Sequence, residues 1–285
     1  MQTPVPYIFQ DRLFVFYGTR DSKNISSISW IELDPDSFSI KKTANKPLLT
    51  KGSLGSFDDS GVIPSSIIRI NNKYFLYYMG WSKGGDVASR NAGGVAELNF
   101  NKMCAERVFE GPILDRTREE PQYCAVPRVY RINSKYIMYY LGVNKWIGDY
   151  KSNDAIYEIR IATSNDGMNW KRNGTKALSL KNNEGGHYPF SVLKVQNKYI
   201  GFYSARNKTS YRKNPKNAYK IFFAESEDGI HWKEKNKIKI KNLNNSFENV
   251  MQAYPSVLKI NGEHVMFYNG NDFGKYGIEV CKKVI

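Results

Sequence analysis

The sequence predicts an all-β protein, a five-bladed β-propeller built mostly from four-stranded antiparallel blades. A strand that ends in an aromatic pair or a single tyrosine recurs five times in the 285 residues, in steps of 61, 62, 63 and 65 residues. No segment keeps the i, i+3, i+4, i+7 apolar spacing of a helix. A repeat built from strands alone is typical of radial packing about an axis. The anchor tyrosines are Tyr17, Tyr78, Tyr140, Tyr203 and Tyr268.

The main alternative is a pair of β-sandwich domains. A sandwich gives no reason for a nearly constant step to persist from one end of the chain to the other. We therefore predict a single propeller domain over residues 1–285.

Each repeat contains the same elements in the same order. In four repeats a first strand opens at a proline, a short turn (NNK, NSK, QNK or NGE) follows, and the anchor strand returns, which predicts a β-hairpin. A polar loop then leads to a third strand, such as GGVAELNF. In two repeats this strand ends in an S-x-D-G-x-x-W turn, SNDGMNW and SEDGIHW, in which we expect the glycine to supply positive φ and the tryptophan to pack between neighbouring sheets.

Acidic residues precede the first strand at a constant phase in four repeats. They lie 19 or 20 residues before the anchor tyrosine, and first strands surround the central channel of a propeller. Convergent carboxylates shift one another's pKa, so that one can donate a proton while another stays ionised, as cleavage of a glycosidic bond requires. The predicted catalytic residues are Asp59, Glu120, Glu184 and Glu248, with Asp58 as an alternative to Asp59.

Connections between second and third strands should lie on the same face as these acids. They carry tryptophan, which offers a flat surface to a sugar ring, and planar polar groups that bond hydroxyls. Arginines at or near the same end can pair with carboxylate or phosphate. The predicted substrate-binding residues are Asp58, Trp81, Arg128, Trp146, Arg206, Arg212, Asn271 and Asp272.

Charge and composition limit the classes of ligand and partner that the sequence predicts. Lys and Arg number 42 against 27 Asp and Glu, a net charge of +15, which favours an anionic or phosphorylated glycan. No dense RNA-binding module is visible, so nucleic acid ranks below a glycan. Three scattered cysteines and three scattered histidines predict neither a metal site nor a cofactor. The absence of a long apolar run or a secretory signal predicts a cytoplasmic protein with no membrane span.

Several stretches resemble a known superfamily, most specifically YPSVLKINGEHVMFYNGNDFGKYG and also FDDSGVIPS, EGPILDR, YSARNKTSYR and AESEDGIHW. From about residue 57 onward the chain is similar to the five-bladed glycoside hydrolase superfamily of arabinanases, xylosidases, invertases, levansucrases and mannoside phosphorylases. It is more similar still to bacterial propeller proteins associated with surface-polysaccharide gene clusters.

The resemblance implies roles for individual residues. In that superfamily the catalytic acids begin in the first blade, where this chain has no acid before the first strand. A shift by one blade would make Asp59 the base or nucleophile, Glu120 the middle acid and Glu184 the proton donor. Phosphate as an acceptor, as in the mannoside phosphorylases, would suit the three predicted arginines.

Three functions remain open from sequence. The first is an enzyme that cleaves or transfers a glycosidic bond, by hydrolysis, glycosyl transfer or phosphorolysis, in surface-polysaccharide metabolism. The second is a non-catalytic glycan-binding propeller, and the third is a basic scaffold for other proteins.

Overall fold

The structure, a computed structural model, describes residues 1–149, 152–238, 245–282 and 284. The described strands form five successive antiparallel groups, here called groups 1 to 5. Group 1 contains β1 (Gln2–Phe9), β2 (Arg12–Arg20), β3 (Ser26–Leu33) and β4 (Ile40–Thr43). Group 2 contains β5 (Gly61–Ile70), β6 (Lys73–Lys83), β7 (Ser89–Asn99) and β8 (Cys104–Arg107).

Groups 3 and 4 repeat this order. Group 3 contains β9 (Cys124–Ile132), β10 (Lys135–Asp149), β11 (Ser152–Ser164) and β12 (Lys171–Lys176). Group 4 contains β13 (Glu184–Val195), β14 (Lys198–Asn207), β15 (Lys220–Ser226) and β16 (Lys233–Lys237). Group 5 contains the described strands β17 (Ala253–Ile260), β18 (Glu263–Asn269) and β19 (Glu279–Lys282).

Two helical segments of four residues lie beside group 5, α1 (Asn245–Glu248) and α2 (Asn271–Gly274). Each is about one turn long, too short to leave an apolar period in the sequence. The prediction of an all-β protein is confirmed for the described part of the chain.

The predicted hairpins are present, and their turns are tight. In group 2 the pairing of β5 with β6 ends at Ile70 and Lys73, which leaves Asn71 and Asn72 as a two-residue turn with φ of 46° and 65°. Asparagine tolerates this left-handed backbone, and such turns match the twist of the strands they join.

The first strands of the groups contact one another in chain order. β1 contacts β5, β5 contacts β9, β9 contacts β13, and β13 contacts β17. β17 also contacts β1, so the five first strands form a closed ring. Aromatic and aliphatic side chains fill the spaces between groups, for example Tyr139 and Phe190, whose ring centroids are 5.3 Å apart.

Candidate functional site

A large open cavity of about 700 Å³ lies at one end of this ring. Each of the five connections between second and third strands, or the strand ends beside it, contributes residues to its wall. This matches the expectation that the connections share one face. Aromatic rings form much of the wall: Tyr123, Trp146, Tyr157, Tyr211, Tyr219, Tyr254 and Phe273.

Cations outnumber carboxylates among the residues that line this cavity. The cationic side chains are Arg20, Arg206, Arg212 and Lys275, and the carboxylates are Asp154 and Asp272. The cavity therefore has an excess of positive charge.

Arg206, at the end of β14, is 3% exposed. Its guanidinium donates to the backbone oxygen of Ala155 at 2.6 Å and lies 3.9 Å from the ring centroid of Tyr211 and 5.0 Å from that of Tyr157. Among the described residues it forms no ion pair with a carboxylate. Its Nη1 also donates to the backbone oxygen of Asn207 at 2.9 Å and its Nε to the Tyr157 hydroxyl at 3.3 Å. The guanidinium is therefore hydrogen-bonded by neutral groups but has no carboxylate beside it in an ion pair.

Arg212 reaches the cavity from the connection between β14 and β15. It lies 4.8 Å from the ring centroid of Tyr211 and 5.3 Å from that of Phe273, and its Nη2 is 3.4 Å from Asp154 Oδ1. Tyr211 donates its hydroxyl to the same Asp154 oxygen at 2.7 Å. Burial raises the pKa of Tyr211, so its hydroxyl remains a hydrogen-bond donor at neutral pH.

Asp272 and Phe273 reach the wall through unusual backbone geometry. Within α2 their φ values are 54° and 57°, in the left-handed region that L-residues seldom adopt. Such strain concentrates at functional sites, where surrounding contacts hold it in place.

Four of the eight predicted substrate-binding residues line this cavity: Trp146, Arg206, Arg212 and Asp272. The other four are placed elsewhere. Trp81 donates its indole N–H to Ser26 Oγ at 2.7 Å, and Asn271 Oδ1 accepts from the backbone N–H groups of Val250 and Met251.

Arg128 and Asp58 are also outside the large cavity. Arg128 is 1% exposed, donates to the backbone oxygen of Pro255 at 2.8 Å and lies 5.1 Å from the ring centroid of Tyr188. It forms part of the packing between first strands. Asp58 is also 1% exposed and accepts from both Nε and Nη2 of Arg107.

None of the four acids that the sequence predicts to converge, Asp59, Glu120, Glu184 and Glu248, lines the large cavity, and their catalytic roles stay predictions. Glu120, for example, is 3% exposed. It accepts from the Tyr140 hydroxyl at 2.7 Å, from Arg160 at 2.6 Å and from Arg172 at 2.9 Å.

The same contact recurs in two other groups. Tyr78 donates to Asp58 at 3.3 Å and Tyr268 donates to Glu248 at 2.6 Å. In all three pairs the acid precedes its tyrosine by 20 residues. The constant spacing therefore marks an acid that binds the anchor tyrosine. In group 2 this acid is Asp58 rather than Asp59.

Glu184 departs from that pattern. It accepts from His187 Nε2 at 3.0 Å and from the backbone N–H of Lys181, while the anchor Tyr203 donates to Glu234. Burial raises the pKa of Glu184, but the bonds from His187 and Lys181 outweigh it, and the pKa lies below its ordinary value.

Asp59 lines a second cavity of about 380 Å³, whose wall is formed by groups 2 and 3. Its carboxylate accepts from the backbone N–H of Gly55 at 3.1 Å and from Ser60 Oγ at 2.9 Å. Tyr123 lines both cavities.

Sequence reasoning missed Asp154, Tyr211 and Tyr123. The signal available in the sequence was position: Asp154 lies just after a connection that was expected on this face, and Tyr211 lies within another. Within the described residues no cluster of three or more His, Cys, Asp or Glu side chains could hold a metal ion. The described helices include none with the length and apolar character to cross a membrane.

Comparison with known proteins gives extensive sequence matches and many structural ones. No family model matches the chain. The uncharacterized protein Rv1502 of Mycobacterium tuberculosis is 29% identical over 279 residues, which cover 96% of this chain and 89% of that protein.

Solved glycoside hydrolase structures superpose on nearly the whole chain. One described as a glycoside hydrolase has a TM-score of 0.72 at 18% identity and covers 99% of this chain and 86% of its own. A glycosyl hydrolase from Bacteroides ovatus has a TM-score of 0.72 at 15% identity, with 99% and 83% covered. A structure from the GH130 family of mannoside phosphorylases has a TM-score of 0.71 at 14% identity, again with 99% and 83% covered. The chain therefore has the β-propeller fold of these glycoside hydrolase structures.

Proposed function

We propose that the five strand groups are the blades of one propeller domain over residues 1–285, and that its large cavity binds a carbohydrate carrying an anionic group. The closed ring of first strands supports the blade count. The fold shared with glycoside hydrolases supports a sugar as the ligand class, by analogy of fold.

The observation that carries this proposal is whether each arginine is paired with a carboxylate. Several buried or half-buried arginines are matched by acids, as Arg107 is by Asp58 and as Arg160 and Arg172 are by Glu120. Arg128 is also buried without a carboxylate partner among the described residues, but it lies outside the large cavity. Arg206, which lines the cavity, has no such partner among the described residues. Guanidinium pairs bidentately with carboxylate or phosphate, so an anionic substituent on the ligand would supply the missing charge.

The aromatic wall supports a sugar more than a simple anion. Trp146 lies with its ring centroid 5.7 Å from that of Tyr123, and Phe273 and Tyr211 flank Arg212. Flat apolar rings between planar polar groups suit a ring that has both C–H faces and hydroxyl edges.

Direct binding measurements test this proposal. Galacturonate and glucuronate should bind, while galactose and mannose should bind more weakly, and affinity should fall as salt rises. Arg212→Ala should weaken uronate binding about 10- to 100-fold, the equivalent of a lost charge-assisted hydrogen bond. Trp146→Ala should weaken it as well.

Trp170→Phe is the matched control, because Trp170 packs against Tyr77 and does not line the cavity. It should leave affinity unchanged. Equal binding of neutral and anionic sugars, or full affinity in Arg212→Ala, would refute the anionic ligand.

The second candidate is an enzyme that cleaves or transfers a glycosidic bond. It is favoured by the presence of two carboxylates, Asp154 and Asp272, on the wall of the cavity. A pair of carboxylates is the minimum that acid and base roles require. Asp272→Asn should then lower turnover of a bound glycan about 100-fold or more with little change in affinity. Turnover unaffected by Asp272→Asn and by Asp154→Asn would exclude these residues as acid and base.

A role in surface-polysaccharide metabolism and a cytoplasmic location stay predictions of the sequence. The catalytic roles that the resemblance assigned to Asp59, Glu120 and Glu184 would need a site other than the large cavity.

A further inference from the structure

The second cavity, of about 380 Å³, is large enough for a small-molecule ligand. It lies between the loop that precedes β5, the first residues of β7 and the loop that precedes β9.

The two cavities are neighbours. Tyr123 belongs to the walls of both, and along β7 the wall passes from Ser89 in the large cavity to Arg90 and Asn91 in the second. A ligand longer than one sugar could therefore extend from the large cavity past Tyr123 into the second.

The wall of the second cavity contains both hydrogen-bond acceptors and donors. Asp59 and Asp115 supply carboxylates, Arg90 and Arg116 supply guanidinium groups, and Lys83 supplies an ammonium group. The side-chain oxygen of Asn91 is buried and has no hydrogen-bond partner. Buried polar atoms are nearly always bonded in folded proteins, so an unpaired oxygen on a cavity wall marks a place for a donor from a ligand or water.

We infer that the second cavity is a second sugar subsite, so that the ligand is an oligosaccharide rather than a single sugar. This inference rests on the proposed function of the large cavity. Mixed charges fit a hydroxyl-rich ligand, because each hydroxyl both donates and accepts. A nucleic acid backbone would instead favour cations alone.

The test compares monomer with trimer, using galacturonate with its trimer and mannose with mannotriose in the same titrations. We expect a trimer to bind about tenfold or more tightly than its monomer. Arg116→Ala and Asn91→Ala should remove that advantage and leave monomer affinity unchanged, while Arg212→Ala should weaken both lengths.

Arg118→Ala is the matched control. Arg118 is 93% exposed, lies two residues from Arg116 and lines neither cavity. It should not change affinity for either length. Arg116 is itself half-exposed, so its replacement should not prevent folding.

The outcomes separate the two proposals. If no sugar binds in a way that depends on Arg212, the proposed function fails. If monomers bind with that dependence but trimers gain nothing, or if the gain survives both Arg116→Ala and Asn91→Ala, then only the second subsite is refuted.

Discussion

At the scale of single residues, three of the acids that precede the first strands, Asp58, Glu120 and Glu248, bind the anchor tyrosine of their own group. Glu120 neutralises Arg160 and Arg172 and also accepts from Tyr140. Burial and the adjacent carboxylate raise the pKa of Tyr140 well above its ordinary value, so this hydroxyl stays protonated and continues to donate. The Glu120 carboxylate is therefore already occupied by three side chains of group 3.

We expect Glu120→Gln to lower the free energy of unfolding by about 2–4 kcal/mol, because it leaves two arginines without their counter-charge. Urea unfolding measures the change. Glu119→Gln is the control, since Glu119 is 65% exposed and pairs with an exposed Arg118. That change should cost less than about 1 kcal/mol. Unchanged stability together with lost turnover would return Glu120 to a catalytic role.

At the scale of elements, the two S-x-D-G turns join one group to the group before it. The Ser164 hydroxyl accepts from the Gly167 N–H, and the backbone oxygen of Gly167 accepts from the Tyr77 hydroxyl of group 2. Gly167 has φ of 77°, and a Cβ there would lie 2.6 Å from Ile70 Cδ1. Gly229, Tyr139 and Ile132 repeat this arrangement between groups 4 and 3.

The turn carboxylate makes stability depend on pH. Bonds from the Asn169 side chain and from the backbone N–H groups of Asn169 and Met168 hold the pKa of Asp166 well below its ordinary value near 4. A lowered folded-state pKa stabilises the protein above the ordinary value, and this contribution is lost as pH falls toward the folded-state pKa.

Asp166→Asn keeps an oxygen that accepts from the backbone but cannot titrate. The gap in urea midpoint between the native protein and this variant should therefore be largest at pH 6 to 7 and shrink below pH 4. Asp11→Asn, at an exposed hairpin turn, is the control. A gap that stays constant with pH would show that the Asp166 charge contributes nothing.

At the scale of the whole molecule, the ring closes where the last group meets the first. Asn269, at the end of β18, is fully buried. Its side-chain oxygen accepts from the Thr3 N–H at 2.8 Å, and its amide nitrogen donates to the backbone oxygens of Met1 and Gly277. One side chain thus satisfies three backbone groups, and two of them, at Met1 and Thr3, lie across the junction.

Asn269→Ala should lower the free energy of unfolding by about 2–4 kcal/mol, because it leaves buried backbone groups unpaired. Thermal and urea unfolding measure this loss. Asn101→Ala is the control, since Asn101 is exposed and lies in group 2, away from this junction. Equal, small effects of both variants would mean that this junction contributes little to stability.

The sequence alone determined the strands, the hairpins, the repeat and the turns at Gly167 and Gly229. These features follow from the period of two along a strand and from short-range turn chemistry, which depend on residues close together in the chain. It also indicated that the connections bearing Trp146, Arg206, Arg212 and Asp272 would share one face.

Only the tertiary structure decided which way the acids face. Whether Glu120 meets a ligand or an arginine depends on Arg160 and Arg172, which are 40 and 52 residues away in the chain. The sheet brings them to the acid through pairing of β10 with β11 and of β11 with β12. The constant spacing indicates that an acid and its tyrosine are partners. Whether the charge of the acid is neutralised depends on the arginines of the strands that pack beside it.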